Sequence, residues 1–184
     1  LTNNLSGTGN ARIGRGKGSA STNYFAGAIS NVRLVNGTAL YSSNFSVPTS
    51  SFTAVNNTQL LLNVVSSSLY ITDFSSNGFV FTNNGSVLFN DKGPFNASQC
   101  GSLFFNGSSG YLYSTSTSSN LIPGTSDFTL EGWVYLLDYS SYNLLFSKAD
   151  NSGSAGAGSW AFGTVVTTGV LYFDYANSGV LTGT

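Results

Sequence analysis

Chemistry in this chain would have to come from a short list of side chains. Histidine and methionine are absent, Cys100 is the one cysteine, and Glu131 is the one glutamate. Cleaving a glycosidic bond takes two carboxyl groups, one to donate a proton and one to attack or stabilise across the bond. Glu131 has no carboxylate two residues away, and its nearest acids in sequence are Asp127 and Asp138. It therefore reads as a polar strand residue that hydrogen-bonds across a sheet rather than as a general acid. A lone Cys100 has no partner for an internal disulfide and reads as a buried, inert thiol. The expectation is a protein that is not an enzyme and has no catalytic residue.

Binding chemistry has more material. Tyr111, Tyr113, Tyr139 and Tyr142 stand near polar stretches, where a ring face beside an amide or carboxylate suits a sugar. Trp133 and Trp160 lie in alternating segments and are expected to pack between sheets. The run Gly14-Arg15-Gly16-Lys17-Gly18 lacks the Gly-x-x-x-x-Gly-Lys-Ser/Thr spacing of a phosphate loop, and no strand-to-helix context surrounds it, so it reads as a plain loop.

The elements that must position these groups are strands. Of the 184 residues, 41% are hydrophobic, 14% aromatic and only 7% charged, against roughly 25% charged in an ordinary soluble domain. Ser, Thr, Asn and Gly supply about half the chain; with so many aromatic and β-branched residues beside them, the composition fits pleated surfaces joined by tight turns, not disorder. Strand-length apolar segments recur at Tyr24–Val35, Gln59–Val65, Leu69–Phe74, Gly78–Thr82, Ser86–Asn90, Ser102–Asn106, Gly110–Ser114, Asp127–Leu137, Asn143–Ser147, Ser159–Val166 and Gly169–Tyr175. This spacing predicts an all-β, antiparallel sandwich or barrel. The clearest segment sets Phe128, Leu130, Gly132, Val134 and Leu136 on one face and Thr129, Glu131, Trp133, Tyr135 and Leu137 on the other. Apolar bulk on both faces predicts a central strand.

Asn36-Gly37, Asn77-Gly78, Asn84-Gly85 and Asn106-Gly107 are hairpin or tight-turn dipeptides, since both residue types tolerate positive φ, and they imply several meanders. Ser114–Asn120 reads as loop, and Ala149–Ser159, with its glycines, as a flexible rim segment. Seven Asn-X-Ser/Thr triplets, at Asn4, Asn36, Asn44, Asn56, Asn84, Asn96 and Asn106, would mark surface turns if the source glycosylates secreted proteins.

The net charge of −1 conceals an asymmetry. Residues 1–72 carry Arg12, Arg15, Lys17 and Arg33 with no acid, and residues 73–184 carry all seven acids with Lys92 and Lys148. Four cations over that length are too sparse for a nucleic-acid stripe, and the low pI speaks against one. No run reaches the roughly 18 apolar residues of a membrane span. Leu1 in place of Met suggests a fragment or a processed product.

Two stretches carry a family resemblance. Phe25-Ala-Gly-Ala-Ile-Ser-Asn-Val-Arg-Leu-Val-Asn-Gly-Thr-Ala-Leu-Tyr41, with Phe45, Pro48 and Asn57-Thr58-Gln59-Leu60-Leu61, resembles the closing half of a concanavalin A-like, laminin G-type jelly-roll module. Ser102-Leu-Phe-Phe-Asn-Gly-Ser-Ser-Gly-Tyr-Leu112 and Asp127-Phe-Thr-Leu-Glu-Gly-Trp-Val-Tyr135 resemble its opening half. Such modules repeat in phage and algal-virus structural proteins and in marine bacterial surface proteins. Here the order is reversed, and the family's middle hairpin, with its Trp-His-Val-Ala-like strand, has no counterpart.

The resemblance implies that residues 1–72 close one sandwich and residues 73–184 open the next, completed by neighbouring protein; the alternative is one circularly permuted sandwich over 1–184. It also implies a structural or adhesive module of an extracellular or virion surface assembly, such as a tail fibre, coat or filament, with copies of itself or adjoining modules as partners and glycans as possible ligands. A secreted lectin-like carbohydrate-binding domain is the alternative. No cofactor is certain. Ca2+ is possible, because related modules bind it at a loop rim; Asp73, Asp91, Asp150-Asn151 and Asp174 are available, but in no recognisable spacing, so the metal ligands stay unknown.

Overall fold

A computed structural model describes residues 5, 9–16, 23–64, 71–95, 101–115, 119–138, 140, 143–149, 159–177 and 180–183. Cys100, Lys17, Gly18, Tyr139, Tyr142, Asp150, Asn151, Asn4, Asn96 and most of the Ala149–Ser159 segment lie outside the described residues.

The chain is an antiparallel β-sandwich. Its strands are β1 (Asn10–Ile13), β2 (Ala26–Asn36), β3 (Thr58–Leu62), β4 (Thr82–Asn84), β5 (Leu88–Asn90), β6 (Ser102–Asn106), β7 (Tyr111–Ser114), β8 (Phe128–Leu136), β9 (Asn143–Ala149), β10 (Trp160–Thr164), β11 (Leu171–Asn177) and β12 (Val180–Gly183). The Ser-rich stretch before β8 ends in one 3-10 turn, Ser119–Leu121. The larger sheet runs β12-β11-β10-β9-β1-β7-β4; the smaller runs β3-β2-β6-β5, with β8 paired to β2.

β2 organises the smaller sheet. One of its edges pairs β6 through Ala26–Ile29 and β3 through Val32–Val35, while the other pairs β8 from Gly27 to Asn36. A bulge at Asn31, whose φ is 50°, breaks the register between Ser30 and Arg33. That positive φ is unusual for a residue with a side chain. It is held because the Asn31 carboxamide is buried, accepting from the Phe52 amide and donating to Ser30 Oγ. Gly27 (φ 151°) lies so near β8 that a Cβ would meet the Tyr135 carbonyl, a close approach only glycine permits.

Residues 1–72 and 73–184 share both sheets. β1 lies between β7 and β9, and β2 lies between β6 and β8. The core between the sheets gathers Ile13, Phe25, Ile29, Val32, Leu34, Leu60, Leu62, Leu103, Phe105, Leu112, Leu145, Phe146 and Trp160. Phe25 and Phe105 meet edge to face at 5.8 Å. Trp160 is in the core, as its alternation predicts.

Three features differ from the sequence expectation. Asn84-Gly85 and Asn106-Gly107 do form tight turns with positive-φ glycine, but each carries the chain from one sheet to the other instead of closing a hairpin. The meander is β9-β10-β11-β12. Trp133 is on the outer face of its sheet, cross-strand from Ser30. Finally β8, expected to be central, pairs with β2 alone among the described residues.

Candidate functional site

Glu131 is tied down on both oxygens. Arg33 of β2 donates from Nε (2.7 Å) and Nη2 (2.6 Å) to Oε1, and the Tyr41 hydroxyl donates to Oε2 at 2.8 Å. Arg33 is held in turn by the Thr53 carbonyl (2.8 Å) and by the Phe52 ring, 4.8 Å from its guanidinium carbon. A carboxylate engaged in this way clamps β2 to β8 and the 37–45 loop over both. Burial, and then the bond to Glu131, raise the Tyr41 pKa above its ordinary value.

The acids available to calcium do not converge. Among the described residues, no three acidic or cysteine side chains group as a metal site would require. The Asp73 carboxylate is consumed locally, accepting from the Leu61, Ser75 and Phe79 amides and from Ser75 Oγ. That satisfies three backbone donors where β3 meets the following loop. Asp91 is exposed beside β5, and Asp174 lies on β11 opposite Ala161. The described residues do not fit a calcium cage.

Tyr111 and Tyr113 do come together, on the outer face of the larger sheet, with ring centroids 5.9 Å apart. The Arg15 guanidinium lies over Tyr111 at 4.7 Å and over Tyr24 at 5.2 Å. The Gly14–Gly16 segment is thus a loop that lays a cation on aromatic faces. Its Gly14 carbonyl accepts from the Phe25 amide.

A cleft that sequence reasoning missed lies on the outer face of the smaller sheet. Its volume is about 480 Å³, and its floor is formed by Ala28, Ser30 and Ser102, with Trp133 and Tyr135 on one side and the Asn90–Pro94 loop on the other. Period two explains the floor, since Ser30↔Trp133 and Ala28↔Tyr135 are direct cross-strand pairs and so share a face. The loop is pinned at two points: the Lys92 amide donates to Asn90 Oδ1, and Ser102 Oγ donates to the Lys92 carbonyl. Phe95 meets Trp133 edge to face at 5.4 Å, a contact that restrains the indole. Tyr135 is 68% exposed.

Family models, curated proteins and solved structures offer no match to this chain. Trp133, Tyr135, Asn90 and Lys92 line the cleft, whose volume is typical of small-molecule sites, over a floor whose serine hydroxyls are spent within the protein, Ser30 Oγ donating to the Gly101 carbonyl and Ser102 Oγ to the Lys92 carbonyl. The signal in sequence was the even spacing of Trp133 and Tyr135 on the face that also bears Glu131.

Lys148 is buried on β9, donates from Nζ to the Gly9 carbonyl at 2.9 Å, and has its pKa lowered by burial. No described acid lies within salt-bridge distance of it. It anchors the segment before β1 and plays no part in the cleft.

Proposed function

We propose that the chain is a non-enzymatic, adhesive β-sandwich module of an extracellular or virion surface assembly, and that the cleft beside Trp133 and Tyr135 takes a sugar ring. The observation that carries this reading is the cleft itself. Aromatic faces offer apolar contact to the C–H side of a sugar, while the Asn90 amide and the Lys92 ammonium beside them exchange hydrogen bonds with its hydroxyls. A surface made soluble by Ser, Thr, Asn and Gly rather than by charge agrees with an extracellular setting. In this reading residues 1–72 and 73–184 are closing and opening halves of laminin G-like, jelly-roll modules. That both halves contribute strands to both sheets supports the alternative of one circularly permuted sandwich over 1–184 rather than two half-sandwiches each completed by neighbouring protein.

A glycan array probed with the whole chain tests the proposal. Binding to one sugar class is expected, reduced at least tenfold by Trp133→Ala or Tyr135→Ala with the far-ultraviolet spectrum unchanged. Silence across the array, or binding indifferent to both substitutions, would overturn it. Sugar binding by a chain that remains monomeric at high concentration would move the reading to a secreted lectin-like carbohydrate-binding domain.

A further inference from the structure

The strand β8 has the sequence of an interior strand and the position of an edge. Its nine residues alternate apolar on one face, and nothing in them protects an edge: there is no proline and no lysine, and the one charge, Glu131, is bound by Arg33. Natural edges of this length are usually blunted by such residues. The parity of the backbone is fixed at both ends of the strand. The Leu137 amide donates to the Ala26 carbonyl, and the Asp127 carbonyl accepts from the Gly37 amide, so odd-numbered residues address β2. The N–H and C=O groups of Phe128, Leu130, Gly132, Val134 and Leu136 then point the other way, where no described strand lies.

The space beside β8 is roofless as well. Gly132 of β8 faces Phe146 of β9, and Phe128 packs on Phe173 of β11 at 5.7 Å, so the larger sheet reaches out under the open edge with β11 and β12. Phe128, Leu130, Val134 and Leu136 are only partly buried, as are Phe173 and Tyr175 below. An added strand would satisfy the edge and cover both rows at once.

We infer that the β8 edge receives an extended strand from a neighbouring polypeptide, apolar at alternate positions and basic at its ends. This rests on the assembly part of the proposed function and is independent of the cleft. Charge complementarity selects the occupant: exposed Asp127 and Asp138 bracket the edge, and the strand between them carries no cation. A second copy pairing β8 to β8 about a two-fold axis fits poorly, because the β11–β12 ribbons of both copies would need the same space.

The test uses the full chain and a synthetic peptide of alternating valine and threonine with a lysine at each end. Saturable binding is expected, at least tenfold tighter than to a peptide of equal composition with valines and threonines in separate blocks. Val134→Pro and Leu136→Pro each delete an edge-facing N–H while leaving the donors to β2 in place, and each should weaken binding at least tenfold. If both variants unfold, the wild-type chain decides: the peptide should slow hydrogen exchange at Phe128, Leu130, Gly132, Val134 and Leu136. The inference is overturned if the wild type ignores the peptide, treats both peptides alike, or binds with those amides still exchanging freely. It is equally overturned by folded proline variants that bind normally, or by a dimer that forms without peptide and is lost in Val134→Pro, which would give the edge to a second copy. Peptide binding without glycan binding would keep this inference and remove the sugar from the proposed function; the converse would do the reverse.

Discussion

β2 and β8 are neighbours in one sheet and are written in the same alternating code, yet they are buried differently. On β2 the inward side chains Ile29, Val32 and Leu34 are 1%, 3% and 2% exposed. On β8 the inward Phe128, Leu130, Val134 and Leu136 are only partly covered. The difference is in neighbours, not in residue type. β2 has a strand on each side along nearly its whole length, and β8 has one side bare among the described residues. A strand whose composition asks for more burial than its position gives marks where further polypeptide belongs.

The largest expected effect breaks the covered side. Leu34→Ala should lower unfolding free energy by about 4 kcal/mol, because a fully buried leucine leaves a cavity as well as losing transfer energy; chemical denaturation measures it. Next comes the clamp joining the two strands. Glu131→Ala strands the Arg33 guanidinium in a nearly buried site and should cost about 3 kcal/mol, with the midpoint falling and the denaturant slope unchanged. Val134→Ala on the open side should cost only about 1 kcal/mol, in keeping with partial burial. Equal costs for Leu34→Ala and Val134→Ala would erase the contrast between the strands.

The smallest effect is in pH. The Tyr41 pKa is raised in the folded state, so the folded protein holds that proton where the unfolded chain has released it. Its contribution is complete below the ordinary tyrosine value of about 10 and is lost as pH rises through the folded value. Tyr41→Phe should therefore flatten the fall in melting temperature above that pH, relative to wild type.

Much of this architecture was legible in the sequence, for a physical reason. Period-two alternation is local, and it placed β6, β7 and β8 within a residue of their observed bounds. The strands β1 (Asn-Ala-Arg-Ile) and β12 (Val-Leu-Thr-Gly) escaped because neither carries the aromatic residues that mark the equally short β7 (Tyr-Leu-Tyr-Ser). Asn-Gly chemistry reported positive φ correctly at Gly85 and Gly107, but φ at one residue does not say which sheet the next strand joins. Trp133 misled because a large ring on an alternating strand usually faces a core; here the Asn90–Pro94 loop folds over the outer face and makes it a cleft wall. The Arg33–Glu131 pair joins residues far apart in sequence, so no local pattern reveals it.

Residue-resolved hydrogen exchange on the free chain decides whether the second side of β8 is open. An edge strand exposes every second amide to solvent, whereas a strand paired on both sides exposes none. An open β8 edge gives fast exchange at Phe128, Leu130, Val134 and Leu136, slow exchange at Thr129, Glu131, Trp133 and Tyr135, and slow exchange at both parities through Ala28–Ile29 of β2. Uniformly slow exchange along β8 would contradict it, since the strand would then already have its second neighbour.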